Sequence, residues 1–200
     1  MALKKEQAKK LIDFARRSIK LFFSDKSIES WEFEKWLQEK RGVFVTLQRY
    51  PSRELRGCIG FPYPTLPLGK AVIEAAKLAA FEDTRFPPLV ENEIDKITIE
   101  ISALTKPKQI ETSEKKSKTD IISEIEVGKD GLIVEYSGYS GLLLPQVATE
   151  EKWDAEHFLE QTCIKAGISP QRWKNKECRI YKFQAQIFSE EKPNGKIIFK

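Results

Sequence analysis

The chain doubles back on itself within short spans, and this most constrains its fold. Val43-Phe44-Val45-Thr46-Leu47 is β-branched and aromatic and reads as a buried strand. Tyr50-Pro51-Ser52-Arg53 is a turn, and the apolar run Leu55–Phe61 follows it, so the two segments form a hairpin. Gly128-Lys129-Asp130-Gly131 opens another strand, Leu132–Tyr136. Ser137-Gly138-Tyr139-Ser140-Gly141 then turns the chain into Leu142-Leu143-Leu144, a second hairpin. Ile97, Ile99, Ile101 and Ala103 alternate with Thr98, Glu100 and Ser102, the pattern of a half-buried strand. Tyr181, Phe183, Ala185 and Ile187 alternate with Lys182, Gln184 and Gln186 and give a last strand.

Helical periodicity lies between and outside these strands. Ala8, Leu11, Ile12, Ala15, Ile19, Phe22 and Phe23 recur at three- and four-residue spacing, predicting a helix over 4–23 with lysine and arginine on its other side. Such a basic stripe suits a membrane surface or a nucleic acid, but an ordinary helix packed on a sheet has the same pattern, and that reading is preferred. A short helix over 31–38 ends before Gly42. An alanine-rich helix covers 68–81, where small side chains allow close packing on a sheet. Asp154 caps a helix carrying Ala155, Phe158, Leu159, Thr162, Cys163 and Ala166, and Gly167 stops it. Ser169-Pro170 starts one more helical turn. Lys106–Lys118 holds five lysines, two glutamates and almost nothing apolar, so it reads as a loop or connection.

The pattern is neither a regular βαβ alternation nor all-β. It predicts an α+β fold, a mainly antiparallel sheet flanked by helices. The late strand joins the early ones, so both termini belong to one larger lobe, 1–105 with 179–200. Residues 106–178 form a smaller inserted lobe, with a cleft between the two.

Composition bounds the function. At 200 residues and 40% hydrophobic the chain can bury a real core, and no apolar stretch is long enough to span a membrane. The first residues carry no secretory pattern, so a cytoplasmic location is expected. Three well-separated cysteines and one histidine supply neither a disulfide framework nor a metal-ligand spacing, and no cofactor is expected. A net charge of +4 is only mildly basic, which gives RNA binding weak support. Few asparagines beside many charged residues suit a heat-tolerant source.

Chemistry concentrates in Leu55-Arg56-Gly57-Cys58-Ile59-Gly60. Gly57 and Gly60 strip side chains from beside the thiol and let a ligand or another backbone approach. In a regular strand Arg56, Cys58 and Gly60 share one face, and Arg56 favours the thiolate. Cys58 is then a nucleophile or a substrate contact. A buried structural cysteine fits the same residues equally well. Glu82, Asp83 and Arg85 follow the alanine-rich helix. They suit an acid–base or orienting pair of carboxylates with an anion-binding arginine, or simply a helix end closed by an internal Asp–Arg pair. Gln146, at a strand-to-helix junction, is a candidate ligand contact. His157 lies off the apolar stripe of its helix and faces solvent, and Cys163 lies on that stripe, in the core.

These residues carry a resemblance. Gly42–Leu47, Leu55–Gly60, Ala80-Phe81-Glu82-Asp83-Thr84-Arg85-Phe86-Pro87-Pro88-Leu89, Ile99–Ser102 and Leu144–Ala148 with Trp153 resemble the AMMECR domain family, over most of the chain. The hexapeptide at 55–60 is that family's signature, and the compact length resembles its prokaryotic and archaeal members. The resemblance implies a two-lobe α+β fold with a cleft near the signature. It also implies a pathway shared with Memo-like and radical-SAM proteins, without fixing a reaction. The expected role is an accessory enzyme or enzyme-like subunit that binds a small molecule or modified base around Cys58. The rival is a module that docks a partner protein or RNA through the same surface.

Overall fold

Sequence alternation becomes a layered fold in the computed structural model, which describes residues 2–24, 34–112 and 117–200. In chain order the elements are α1 (Lys5–Phe22), β1 (Val43–Arg49), β2 (Leu55–Phe61), α2 (Leu68–Phe81), β3 (Ile97–Leu104), β4 (Lys108–Ile110), α3 (Lys118–Ser123), β5 (Asp130–Tyr136), β6 (Tyr139–Leu143), α4 (Pro145–Glu150), α5 (Ala155–Lys165), β7 (Arg179–Glu190) and β8 (Ile197–Phe199). Short 3-10 turns cover Lys35–Gln38, Glu91–Lys96 and Pro170–Lys174. The helices and antiparallel strands make this an α+β protein. The chain divides into two compact units, Met1–Leu104 with Gln186–Lys200, and Thr105–Ala185.

The first unit carries the strand order β2-β1-β3-β7-β8, with the last five residues of β7 taking part. Val43, Val45 and Leu47 of β1 and Ile97, Ile99, Ile101 and Ala103 of β3 form one apolar face, on which α1 and α2 pack. Leu11, Ile12 and Ile19 of α1 are fully buried there, each contributing about 1.5–3 kcal/mol. The alanines of α2 are buried as expected, and their small size brings its backbone onto the sheet. One ion pair is buried beneath this layer. Arg16 of α1 donates through Nε to Glu190 Oε1 at 3.1 Å, through Nη2 to Glu190 Oε2, and to the carbonyls of Ile94 (2.7 Å) and Ile97 (2.9 Å). Glu190 also accepts the backbone N–H groups of Ile99 and Asn194. Burying both charges is tolerable because these bonds satisfy them.

The second unit has the order β4-β7-β5-β6. Its core joins Leu132 and Val134 to Phe158, Leu159, Cys163, Trp173, Cys178 and Ile180. Asp154 caps α5 by accepting the His157 N–H at 2.8 Å, and His157 itself is exposed.

Some expectations change. β3 is buried along its whole length, polar positions included: Thr98 accepts from Arg53 and Glu100 pairs with Lys200, so alternating polar residues do not mark a solvated side. The second helix is reduced to the 3-10 turn Lys35–Gln38, and residues 31–33 lie outside the described residues. Within the lysine-rich stretch, β4 pairs with β7 and α3 begins at Lys118 behind its Ser117 cap. No described helix is long and apolar enough to cross a membrane.

Candidate functional site

The site grows from a defect in the β1–β2 hairpin. Leu47 pairs with Gly57 but Gln48 pairs with Leu55, leaving Arg56 as an extra residue on β2, a β-bulge. Strict alternation therefore fails at Arg56. Its side chain is buried, and its guanidinium forms a two-pronged pair with Glu93, Nε to Oε1 and Nη2 to Oε2, both at 2.9 Å. A further contact reaches the Pro88 carbonyl. Arg56 is thus committed to Glu93, and it does not accompany Cys58 as a regular strand would require. The same pair holds the Glu93 carboxyl below its usual range, the Arg56 hydrogen bonds being the main cause.

Gly57 and Gly60 serve the chain's own packing. A Cβ at Gly57 would sit 2.0 Å from the Ala79 carbonyl oxygen, so α2 lies directly against β2 there. A Cβ at Gly60 would meet the Phe44 ring and the Val43 carbonyl oxygen within 2.5 Å.

Beyond the bulge the alternation resumes. Thr46 is the cross-strand partner of both Cys58 and Glu100, so the three side chains form a row on one sheet face. Thr46 Oγ1 donates to Cys58 Sγ at 3.2 Å, and Glu100 pairs with Lys200. Cys58 is half-buried. Burial pushes its thiol above the ordinary value, outweighing the Thr46 hydrogen bond and the Arg85 charge, so at neutral pH it is a neutral thiol.

The α2 end supplies the other half. Asp83 is buried, with 4% of its side chain exposed, and it accepts four N–H groups. These are Cys58 N (2.8 Å), Arg85 N (3.2 Å), Arg85 Nε (2.9 Å) and Arg85 Nη2 (2.7 Å). The Arg85 bonds dominate in holding the Asp83 carboxyl far below its usual range, and Asp83 raises Arg85 in return. Nη2 of Arg85 also donates to the Cys58 carbonyl at 3.1 Å. With 55% of its side chain exposed, Arg85 keeps Nη1 directed at no acceptor among the described residues. Asp83 therefore orients a guanidinium over the strand that carries Cys58. The internal Asp–Arg pair was readable from sequence spacing, but its bond to the Cys58 amide was not.

Glu82 and Gln146 take no part in these bonds among the described residues. Glu82 is exposed at the cap of α2. Gln146 lies in the first turn of α4, in the second unit, with its Oε1 buried and unbonded among the described residues. Sequence reasoning missed Thr46, Glu100 and Glu93. Sliding β1 against β2 around the turn identifies Thr46 as the neighbour of Cys58, whereas nothing local marks Glu93. No group of three or more His, Cys, Asp or Glu side chains is placed to hold a metal among the described residues.

The fold and site define a class: α+β proteins with a cysteine beyond a bulge in a glycine-flanked hairpin strand, clasped through its backbone by an Asp–Arg pair. The chain belongs to the AMMECR1 family, whose profile matches residues 12–188. It is 47% identical over 194 residues to protein MK0488 of Methanopyrus kandleri, covering 96% of this chain and 92% of that one. It is 45% identical over 189 residues to protein MJ0810 of Methanocaldococcus jannaschii, covering 94% and 92%. The crystal structure of the uncharacterized protein PH0010 from Pyrococcus horikoshii superposes with a TM-score of 0.88 at 46% identity, covering 99% of this chain and 98% of that one.

Proposed function

We propose that the sheet face around Cys58 binds a small polar ligand, and that the protein is an accessory or enzyme-like subunit built around that binding. The observation that carries this reading is the pre-set, half-exposed guanidinium of Arg85. Asp83 occupies Nε and one proton of Nη2, the Cys58 carbonyl takes the other, and Nη1 is left to receive an acceptor oxygen. Because the Asp83 charge balances Arg85, the pair suits a carbonyl or carboxylate oxygen, such as the exocyclic oxygen of a base, better than a multiply charged anion. Cys58 contacts the ligand as a thiol. Its raised pKa argues against a resting thiolate nucleophile, and the strong acidity of Asp83 argues against that carboxylate as a proton donor near neutrality.

Thermal unfolding against a panel of nucleobases, nucleosides and small carboxylates tests this. Binding at one hundred times Kd adds about 2.7 kcal/mol, roughly 5–10 °C in Tm for a chain of this size. At least one compound class is expected to give such a shift in the parent protein and to lose it in Arg85→Met and Cys58→Ser. Equal shifts in the variants, or none with any class, would overturn the reading.

A further inference from the structure

A second feature of the first unit lies on α1 and the β7–β8 turn. Lys5 and Lys9 are one turn apart, and Arg16 continues the same stripe two turns on. Arg16 is bonded to Glu190, the last residue of β7, so the turn after β7 is fastened to this side of α1. That turn is tightly made. Glu191 N donates to the Lys196 carbonyl at 2.9 Å, Gly195 N to the Lys192 carbonyl at 2.7 Å, and Asn194 N to Glu190 Oε1 at 3.2 Å. A Cβ at Gly195 would sit 2.7 Å from the Lys192 side chain, so only glycine leaves the turn this closed. The turn and α1 thus lie side by side, with Lys5 and Lys9 on the helix and Lys192 and Lys196 on the turn lining one space.

Between them is a cavity of about 560 Å³, lined by Lys5, Glu6, Lys9, Lys192, Lys196 and Ile197 with the backbone of the turn. This volume falls within the roughly 300–1,000 Å³ of small-ligand sites. Four lysines and a single acid, Glu6, are among its lining residues. No ion pair engages Lys5, Lys9, Lys192 or Lys196 among the described residues. Like charges in excess over their acids repel one another, and a bound polyanion relieves that repulsion. Among the described residues no aromatic ring lines the cavity, so it offers none of the stacking platforms of single-stranded nucleic-acid sites. The volume and the charge of the lining together favour a compact anion.

We propose that this cavity is a binding site for a small soluble molecule bearing a chain of phosphates, separate from the Cys58 face. The phosphates meet the four lysines, and Ile197 with the lysine stems supplies an apolar wall. Inorganic triphosphate and adenosine triphosphate are the probes, titrated calorimetrically into the full chain at low salt. Triphosphate is expected to bind saturably at one site, with affinity falling steeply as salt is added. Equal affinity for the two probes means that the phosphate chain alone is read, and tighter nucleotide binding means that the apolar wall also takes part. Either result supports the site. Lys9→Gln/Lys196→Gln is expected to weaken binding by roughly tenfold or more without lowering thermal stability, since both side chains are exposed. The proposal is overturned by the absence of saturable binding or by unchanged affinity in the variant. It is equally overturned if single-stranded RNA, but not triphosphate, binds through these lysines.

Discussion

At the scale of single residues, the site depends on Asp83 more than on the cysteine that draws the eye. Asp83 is where a strand amide, a following amide and a guanidinium converge. Asp83→Asn keeps the shape but removes the charge. Hydrogen bonds to charged groups contribute about 1.5–3 kcal/mol, and Arg85 is half in solvent, so the low end of that range applies, about 1.5 kcal/mol at neutral pH. The pH dependence carries a definite sign. Folding lowers the pKa of Asp83, so its contribution is complete above the unfolded value of roughly 3.9 and is lost as pH falls from there toward the lower folded value. Urea unfolding at several pH values should show the parent protein losing its advantage over Asp83→Asn across that acid range. A difference that stays constant with pH would show that the carboxylate charge is not what stabilises the clasp.

At the scale of elements, what the sequence reveals depends on whether the controlling contacts are local. α1, α2 and α5 follow from apolar spacing and caps, and the observed bounds of α2 are those expected, Leu68–Phe81. The hairpins follow from their turns. β4 and β8 have three residues each and form because β7 offers them edges, which no local pattern encodes. The bulge at Arg56 arises where β2 runs one residue ahead of β1, a property of the pair and not of either strand. For that reason the sequence places Cys58, Asp83 and Arg85 near one another in outline yet misassigns Arg56. The bulge has an energetic consequence that can be measured. Arg56 has 2% of its side chain exposed, and its Nη1 is buried without a hydrogen-bond partner among the described residues, so its charge relies on Glu93. Glu93→Ala strands that charge and should cost about 3 kcal/mol. The double variant Arg56→Met/Glu93→Ala removes the stranded charge and should cost less than Glu93→Ala alone. Denaturant midpoints of the two single variants and the double decide this, and simple additivity would remove the argument.

At the scale of the whole molecule, the second unit lies between two points in the chain, 104/105 and 185/186, and the second falls within β7. Residues 179–184 of β7 pair with β4 and β5, and residues 188–190 pair with β8. One strand therefore serves two cores: Ile180 packs with Trp173 and Phe158, and Phe188 packs with the α1–α2 layer. The second unit is continuous in sequence and supplies its own sheet order, helices and buried aromatic centre, which is what independent folding requires. The first unit lacks this continuity, since its sheet closes only when β7 and β8 return after the second unit. The excised segment 105–185 is thus expected to fold alone, at lower stability, because it gives up whatever the rest of β7 contributes. Trp173 is fully buried, so its fluorescence should shift to the red in one cooperative urea transition. The segment 1–104 alone should give no such transition, because Glu190, the partner of Arg16, is missing and leaves that guanidinium charged and unpaired against the core. A featureless titration of 105–185, or cooperative unfolding of 1–104, would mean that stability is shared along β7 and not held within each core.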